Sequence, residues 1–325
     1  MIHYDCFNGD ADGICALTQL RRNFSVISEL VTGVKRDISL LERIVDKVKE
    51  GDVVTVLDVS MDKNRQALEK ILKKGASVFY CDHHFVGEMP DAPNLVSLVN
   101  FSPDVSTSLL INQHLNSAYV AWAIVGTFGD NLDKSATGMA KKLSLREAEL
   151  ERLKNLGVYL NYNGYGSSLS DLYFDPAELF ARTRQFDDPF QFMAEDKDTF
   201  STLEQGYHDD MKNARESKPE VTSGSIAMYI LPDQTWSRRV SGVFGNALAN
   251  QHPDRAHAVV THKDEDHYVV SVRAPKNRKA GADEVCRQFD TGGGRAAAAG
   301  VNALPKSELE RFVKVLQEQY EQAPN

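Results

Sequence analysis

The stretch that decides the fold is Val53-Val54-Thr55-Val56-Leu57, followed by Asp58-Val59-Ser60 and then Asp62 to Lys74. The first five residues are β-branched and almost wholly apolar, the pattern of a strand covered on both faces. Asp62 to Lys74 places Ala67, Leu68, Ile71 and Leu72 at helical spacing, and Gly75 is placed to stop the helix. Ala76-Ser77-Val78-Phe79-Tyr80-Cys81 then reads as a second strand. Strand, helix and strand in this order predict a parallel α/β sheet.

Working outward, segments 2–7 and 26–31 are further strand candidates, with a helix from about Gly13 to Arg22 between them. Residues from about 106 to 160 read as mainly helical. Ser106-Thr107-Ser108 has the look of a helix N-cap. Residues 161–175 form a polar, glycine-bearing loop. A second alternating block predicts strands at Ile226–Leu231, Ala256–Thr261 and His267–Arg273. Helices are expected at Val240–Asn250 and Ala282–Phe289, with a final amphipathic helix over 306–322. The expected domains are 1–185, a connecting region 186–221, and 222–325.

The chain has 325 residues, with 37 Lys+Arg against 46 Asp+Glu, a net charge of −9. Residues 222–325 carry 13 basic and 12 acidic groups, so all the excess acidity precedes them. This balance disfavours coating of long nucleic acid, and leaves room for a small phosphorylated substrate. No apolar run approaches the ~18–20 residues of a membrane span. The N-terminus lacks a signal-peptide pattern, and Cys6, Cys15, Cys81 and Cys286 form no CxxC pair. A reduced, cytoplasmic protein is expected.

Four sites place Asp or His where an apolar strand is expected to end: Asp10 and Asp12, Asp58, Asp82-His83-His84, and Asp130. In a parallel sheet the carboxyl ends of neighbouring strands lie side by side, so these residues converge. Carboxylates with imidazole suit Mn²⁺ or Mg²⁺. Singly, an Asp after a strand also serves as a turn or helix cap. Three adjacent ionisable groups after an apolar strand are costly unless paired or metal-bound. Gly292-Gly293-Gly294-Arg295 suits close backbone approach to a phosphate, before a helix expected at Ala296–Ala299. Arg238-Arg239 reads as a solvated pair. Tyr162, Tyr165 and Phe174 are weaker candidates for base stacking.

These motifs together resemble the DHH family of phosphoesterases, whose signature triplet is Asp82-His83-His84 here. Asp10-x-Asp12, Asp58 and Asp130 accompany it in the family's order. Ser271-Val272-Arg273 and Gly292–Arg295 resemble the family's DHHA1 domain. The resemblance implies an N-terminal domain with a Rossmann-like parallel sheet, a smaller C-terminal α/β domain, and an active site in the cleft between them. It implies two Mn²⁺ ions (Mg²⁺ as a substitute), one on Asp10 and Asp58, the other on Asp12, Asp58, His83 and Asp130. Asp58, Asp82, His83 and His84 would be catalytic. Arg273, Gly292, Gly293, Gly294 and Arg295 would bind substrate. The implied activity is hydrolysis of linear dinucleotides or very short RNA, such as pGpG, to mononucleotides. A RecJ-like single-strand exonuclease and a nucleotide sensor without catalysis are the alternatives. Two residues depart from the family pattern: Cys6, where many members have His, and Arg295, where His usually follows the glycines.

Overall fold

The computed structural model describes residues 1–321. The last residue of the helix expected over 306–322, and the end of the domain expected over 222–325, lie outside the described residues. The chain divides into two compact units, Met1–Tyr207 and His208–Asn325.

In the first unit, β1 (His3–Phe7), α1 (Ala11–Asn23), β2 (Glu29–Val31), β3 (Val53–Leu57), α2 (Met61–Lys73), β4 (Ser77–Asp82) and β5 (Leu95–Val99) come first. Seven helices follow: α3 (Thr107–His114), α4 (Val120–Gly129), α5 (Asp133–Ala140), α6 (Glu147–Asn163), α7 (Pro176–Thr183), α8 (Pro189–Glu195) and α9 (Lys197–Glu216), the last running past Tyr207. The strands form one parallel sheet in the order β2-β1-β3-β4-β5. From β1 the chain turns to β2 on one side and later fills β3 on the other. The carboxyl ends of β1 and β3 therefore flank a topological switch point, where such sheets open a crevice.

Side-chain alternation makes both sheet faces apolar. Tyr4, Cys6, Val54 and Val56 face one core with Leu68 and Ile71 of α2. Phe7 and Leu57 face the other, packed with Ile14 and Leu17 of α1, Ile124 and Phe128 of α4, and Leu156 and Leu160 of α6. Cys6 is fully buried, and burial pushes its thiol far above the usual range. It is a core residue of the strand.

One charged pair lies inside this second layer. Asp5 is fully buried, and Arg21 of α1 meets both its oxygens, with Nε–Oδ2 at 2.8 Å. Arg21 Nη2 also donates to Thr55 Oγ1 at 2.9 Å, and Ser28 Oγ donates to Asp5 Oδ2 at 2.6 Å. The pair ties α1 to β1 and β3, and the sequence carried no signal for it.

The second unit contains β6 (Val221–Thr222), β7 (Ile226–Ile230), α10 (Thr235–Gln251), β8 (Ala256–His262), β9 (His267–Arg273), α11 (Ala282–Cys286), β10 (Gly292–Arg295), β11 (Ala298–Pro305) and α12 (Leu309–Glu321). Its sheet is mixed, in the order β10-β11-β9-β8-β7-β6, with β7 and β8 parallel. The helix expected at Ala296–Ala299 is not formed. Residues 292–295 pair antiparallel with 298–301, and Ala296-Ala297 make the turn. Sheet pairing here overrides the helical preference of alanine. The Arg238-Arg239 reading is also corrected. Arg239 is buried, and its Nε and Nη2 meet Asp210 at 2.7 and 3.0 Å.

His257 of β8 is fully buried. Burial, then Arg255 and His252, push its imidazole from the ordinary 6.5 down to about 4. Folding therefore favours the neutral ring. Its contribution is complete above pH 6.5 and is lost as pH falls toward 4, by about 3 kcal/mol. Replacing it with an apolar residue of similar size, His257→Leu, should raise stability at pH 4–5 relative to wild type and leave the pH 8 value nearly unchanged. Chemical denaturation at both pH values checks this; an equal shift at both would remove His257 from the acid response.

Candidate metal centre

Each proposed acidic residue sits where an element begins or ends. Asp10 is the N-cap of α1, and its Oδ1 accepts from the amides of Asp12 and Gly13 at 3.0 and 3.1 Å. Asp58 follows β3 directly, in the left-handed region at φ 60. Asp tolerates this conformation better than most side chains, and such positions cluster at functional sites. Asp82 closes β4, and His83 and His84 follow. Asp130 is the C-cap of α4. Asp130 therefore stands at a helix end and not at a strand end. The short apolar run before it does not separate the two readings by periodicity.

These elements bring three carboxylates together around His83. Its Nε2 lies 3.3 Å from Asp130 Oδ2, 3.4 Å from Asp58 Oδ1 and 3.9 Å from Asp12 Oδ2. Its Nδ1 lies 2.7 Å from the Val105 carbonyl oxygen. A carbonyl only accepts, so Nδ1 carries a proton and Nε2 is the atom aimed at the carboxylates. His84 is turned by Asp82, with Nδ1 2.8 Å from Asp82 Oδ1. Two overlapping groups have ligand atoms close enough for one ion: Asp58, His83 and His84, and Asp12, His83 and Asp130.

The Ser106 N-cap expectation agrees with the geometry. Ser106 Oγ accepts from the Leu109 amide at 3.2 Å. The next amides, Thr107 and Ser108, donate to Asp12 Oδ2 and Oδ1 at 2.7 and 2.8 Å. The Asp12 carboxyl is thus seated on the N-terminus of α3. Thr107 Oγ1 also donates to Asp58 Oδ1 at 3.0 Å.

The crowding shows in the acidities. Burial, then the charges of Asp10 and Asp12, push Asp58 well above the usual carboxylate range. Burial and Asp12 raise Asp130 to about 6. Burial opposes a charge on His83, but Asp58, Asp12 and Asp130 outweigh it and raise the imidazole to about 11. Carboxylates crowded this closely are the kind of group that a cation would stabilise. Hard oxygens with one oriented imidazole nitrogen fit Mn²⁺ or Mg²⁺.

Sequence reading missed one member of the cluster. Lys35 Nζ lies 2.5 Å from Asp10 Oδ2, 2.8 Å from Asn161 Oδ1 and 3.5 Å from Asp130 Oδ1. Burial works against the charge on Lys35, but Asp10, Tyr165 and Asp130 hold its pKa well above the ordinary value. The same contact outweighs burial at Asp10 and keeps that carboxyl below its usual range. Thr32-Gly33-Val34-Lys35 is an ordinary loop sequence, with no spacing to mark it.

In the second unit, Arg273 Nε donates to Asn246 Oδ1 at 2.6 Å and Nη1 to Ser271 Oγ at 2.9 Å. Arg295 is exposed on β10. A side chain on Gly292 would meet the Cys286 carbonyl oxygen at 1.7 Å, and Gly294 has φ 140, so both positions require glycine. Tyr162, a stacking candidate, is buried in the first unit.

Residues 223–322 match the DHHA1 domain. The second unit thus carries a match to this domain, and the fold of the chain is RecJ-like. A manganese-bound exonuclease RecJ shares the fold with a TM-score of 0.66 at 16% identity, over 99% of this chain and 90% of that one. RecJ from Thermus thermophilus, in complex with Mn²⁺, gives 0.68 at 16% identity, over 99% of this chain and 52% of that one. The chain thus spans about half of the Thermus protein. A pGpG-specific phosphodiesterase, PggH from Vibrio, gives 0.55 at 14% identity, over 98% of both chains. No curated protein matches the sequence. The DHHA1 match falls on the second unit. The metal-type cluster lies wholly within the first, and no described helix is long and apolar enough to cross a membrane.

Proposed function

We propose that this protein is a Mn²⁺-dependent phosphodiesterase that hydrolyses linear dinucleotides or very short RNA, such as pGpG, to mononucleotides. The observation that carries the reading is His83 Nε2 facing Asp12, Asp58 and Asp130 within 3.9 Å, from four separate elements. Asp12, Asp58, His83 and Asp130 would hold the ion. When bound, it would polarise the phosphodiester and lower the pKa of a water. The chain's own residues do the rest. Val105 fixes the His83 ring, the α3 amides fix Asp12, and Asp82 turns His84. His84 is partly exposed and is assigned to the substrate phosphate. Arg295, Arg273 and the glycine strand are assigned to the 5′ side of the substrate. Arg295 offers a permanent, bidentate charge for a terminal phosphate.

The short substrate is supported by the acidic balance of the chain and by its equal length with a pGpG-specific relative in fold. The test is purified full chain with Mn²⁺ and labelled strands of two to seven nucleotides, with and without a 5′ phosphate. Dinucleotides bearing the phosphate should turn over at least tenfold faster than heptamers. Equal rates across the lengths would favour the exonuclease reading and end the dinucleotide one.

A further inference from the structure

We infer that the Lys35 ammonium takes the place of one divalent cation, so that the centre accepts a single exchangeable ion. The inference rests on the metal reading of the cluster and concerns how many ions it holds.

Both oxygens of Asp10 are already engaged by partners from this chain. Its Oδ1 is occupied by two α1 amides, and its Oδ2 lies 2.5 Å from Lys35 Nζ. The two groups of three or more ligand atoms that could hold an ion both centre on His83. The carboxylates are thus divided. Asp10 meets Lys35 and also touches Asp58, Asp12 and Asp58 face His83, and Asp130 stands between, with Oδ1 on Lys35 and Oδ2 on His83.

Lys35 is also anchored, unlike a surface lysine that drifts toward the nearest acid. Its backbone amide donates to the Gly164 carbonyl oxygen at 2.8 Å, and Asn161 Oδ1 accepts from Nζ at 2.8 Å. Its ammonium lies 5.8 Å from the centre of the Tyr165 ring. The aromatic face is a partner for a cationic side chain and supplies no atom to bind a metal ion. Cys6, from the strand that leads to Asp10, points into the core on the other sheet face and supplies no ligand. A built-in cation on the Asp10 side neutralises that carboxylate permanently. It adds a fixed hydrogen-bond donor near the ion without adding a second metal equilibrium.

The test counts metal directly. Full-length protein is stripped with EDTA, dialysed against Mn²⁺ and assayed by inductively coupled plasma mass spectrometry. Wild type should hold one Mn²⁺ per chain, as should Lys35→Arg. Lys35→Ala, which frees Asp10 Oδ2, should take up a second. Two ions in the wild type would overturn the inference while leaving the phosphodiesterase reading intact. So would a Lys35→Ala protein that still holds only one. No uptake by the wild type would instead overturn the metal reading, and this inference with it.

Discussion

Asp58→Asn should lower Mn²⁺-dependent turnover by roughly a thousandfold, about 4 kcal/mol of transition-state stabilisation. The same change should raise the melting temperature of the EDTA-treated protein. The two effects have one cause. Asp58 is buried beside Asp10 and Asp12, and its charge is tolerated for the sake of a cation. Removing that charge relieves like-charge repulsion of about 1 kcal/mol, or about 3 °C for a unit of this size. Asparagine keeps the acceptor for Thr107 Oγ1 and is at home in the left-handed conformation at φ 60. The backbone should therefore stay in place. Calorimetry in EDTA and a dinucleotide assay in Mn²⁺ check both halves. An Asp58→Asn protein that melts lower than wild type would make the carboxylate a structural group.

The largest stability effect is expected at the buried pair. Arg21→Met should cost about 3–5 kcal/mol, because it leaves the fully buried Asp5 carboxylate without its cation. The corresponding drop in melting temperature is about 10 °C. Adding Asp5→Asn should recover most of it, since the amide oxygen still accepts from Ser28 and no charge is stranded. The double-mutant cycle separates the pair from the packing of the arginine stem. Additive losses would mean that Arg21 acts through its hydrocarbon alone.

The core of the first unit was legible because its strands are covered on both faces. Val53–Leu57 and Ser77–Asp82 are apolar runs bounded by a helix of clear period, and both fold as read. Leu95–Val99 lies at the sheet edge, half-buried, and gave no such signal. The convergence of Asp12, Asp58 and His83 could be expected, because strand ends in a parallel sheet are neighbours by construction; Asp130 joins them from the end of α4, through helix packing. What could not be read were contacts set by tertiary packing. Lys35 reaches Asp10 only because its loop lies against Gly164, and Arg239 is buried only because Asp210 meets it. Thr107 and Ser108 read as a helix cap, but the carboxyl on their amides is that of Asp12, 95 positions before Thr107. In the second unit, alanines beside glycines gave the helical expectation that the β10–β11 hairpin replaces.

The central claim is that strand-end and helix-end carboxylates gather with His83 to hold a metal ion. An anomalous difference map from crystals of the full chain soaked in Mn²⁺ tests it most directly. The account predicts a strong peak bonded by Asp12, Asp58, His83 Nε2 and Asp130, and none between Asp10 and Lys35. A map with no peak among these residues, or with manganese bound only elsewhere, would contradict it.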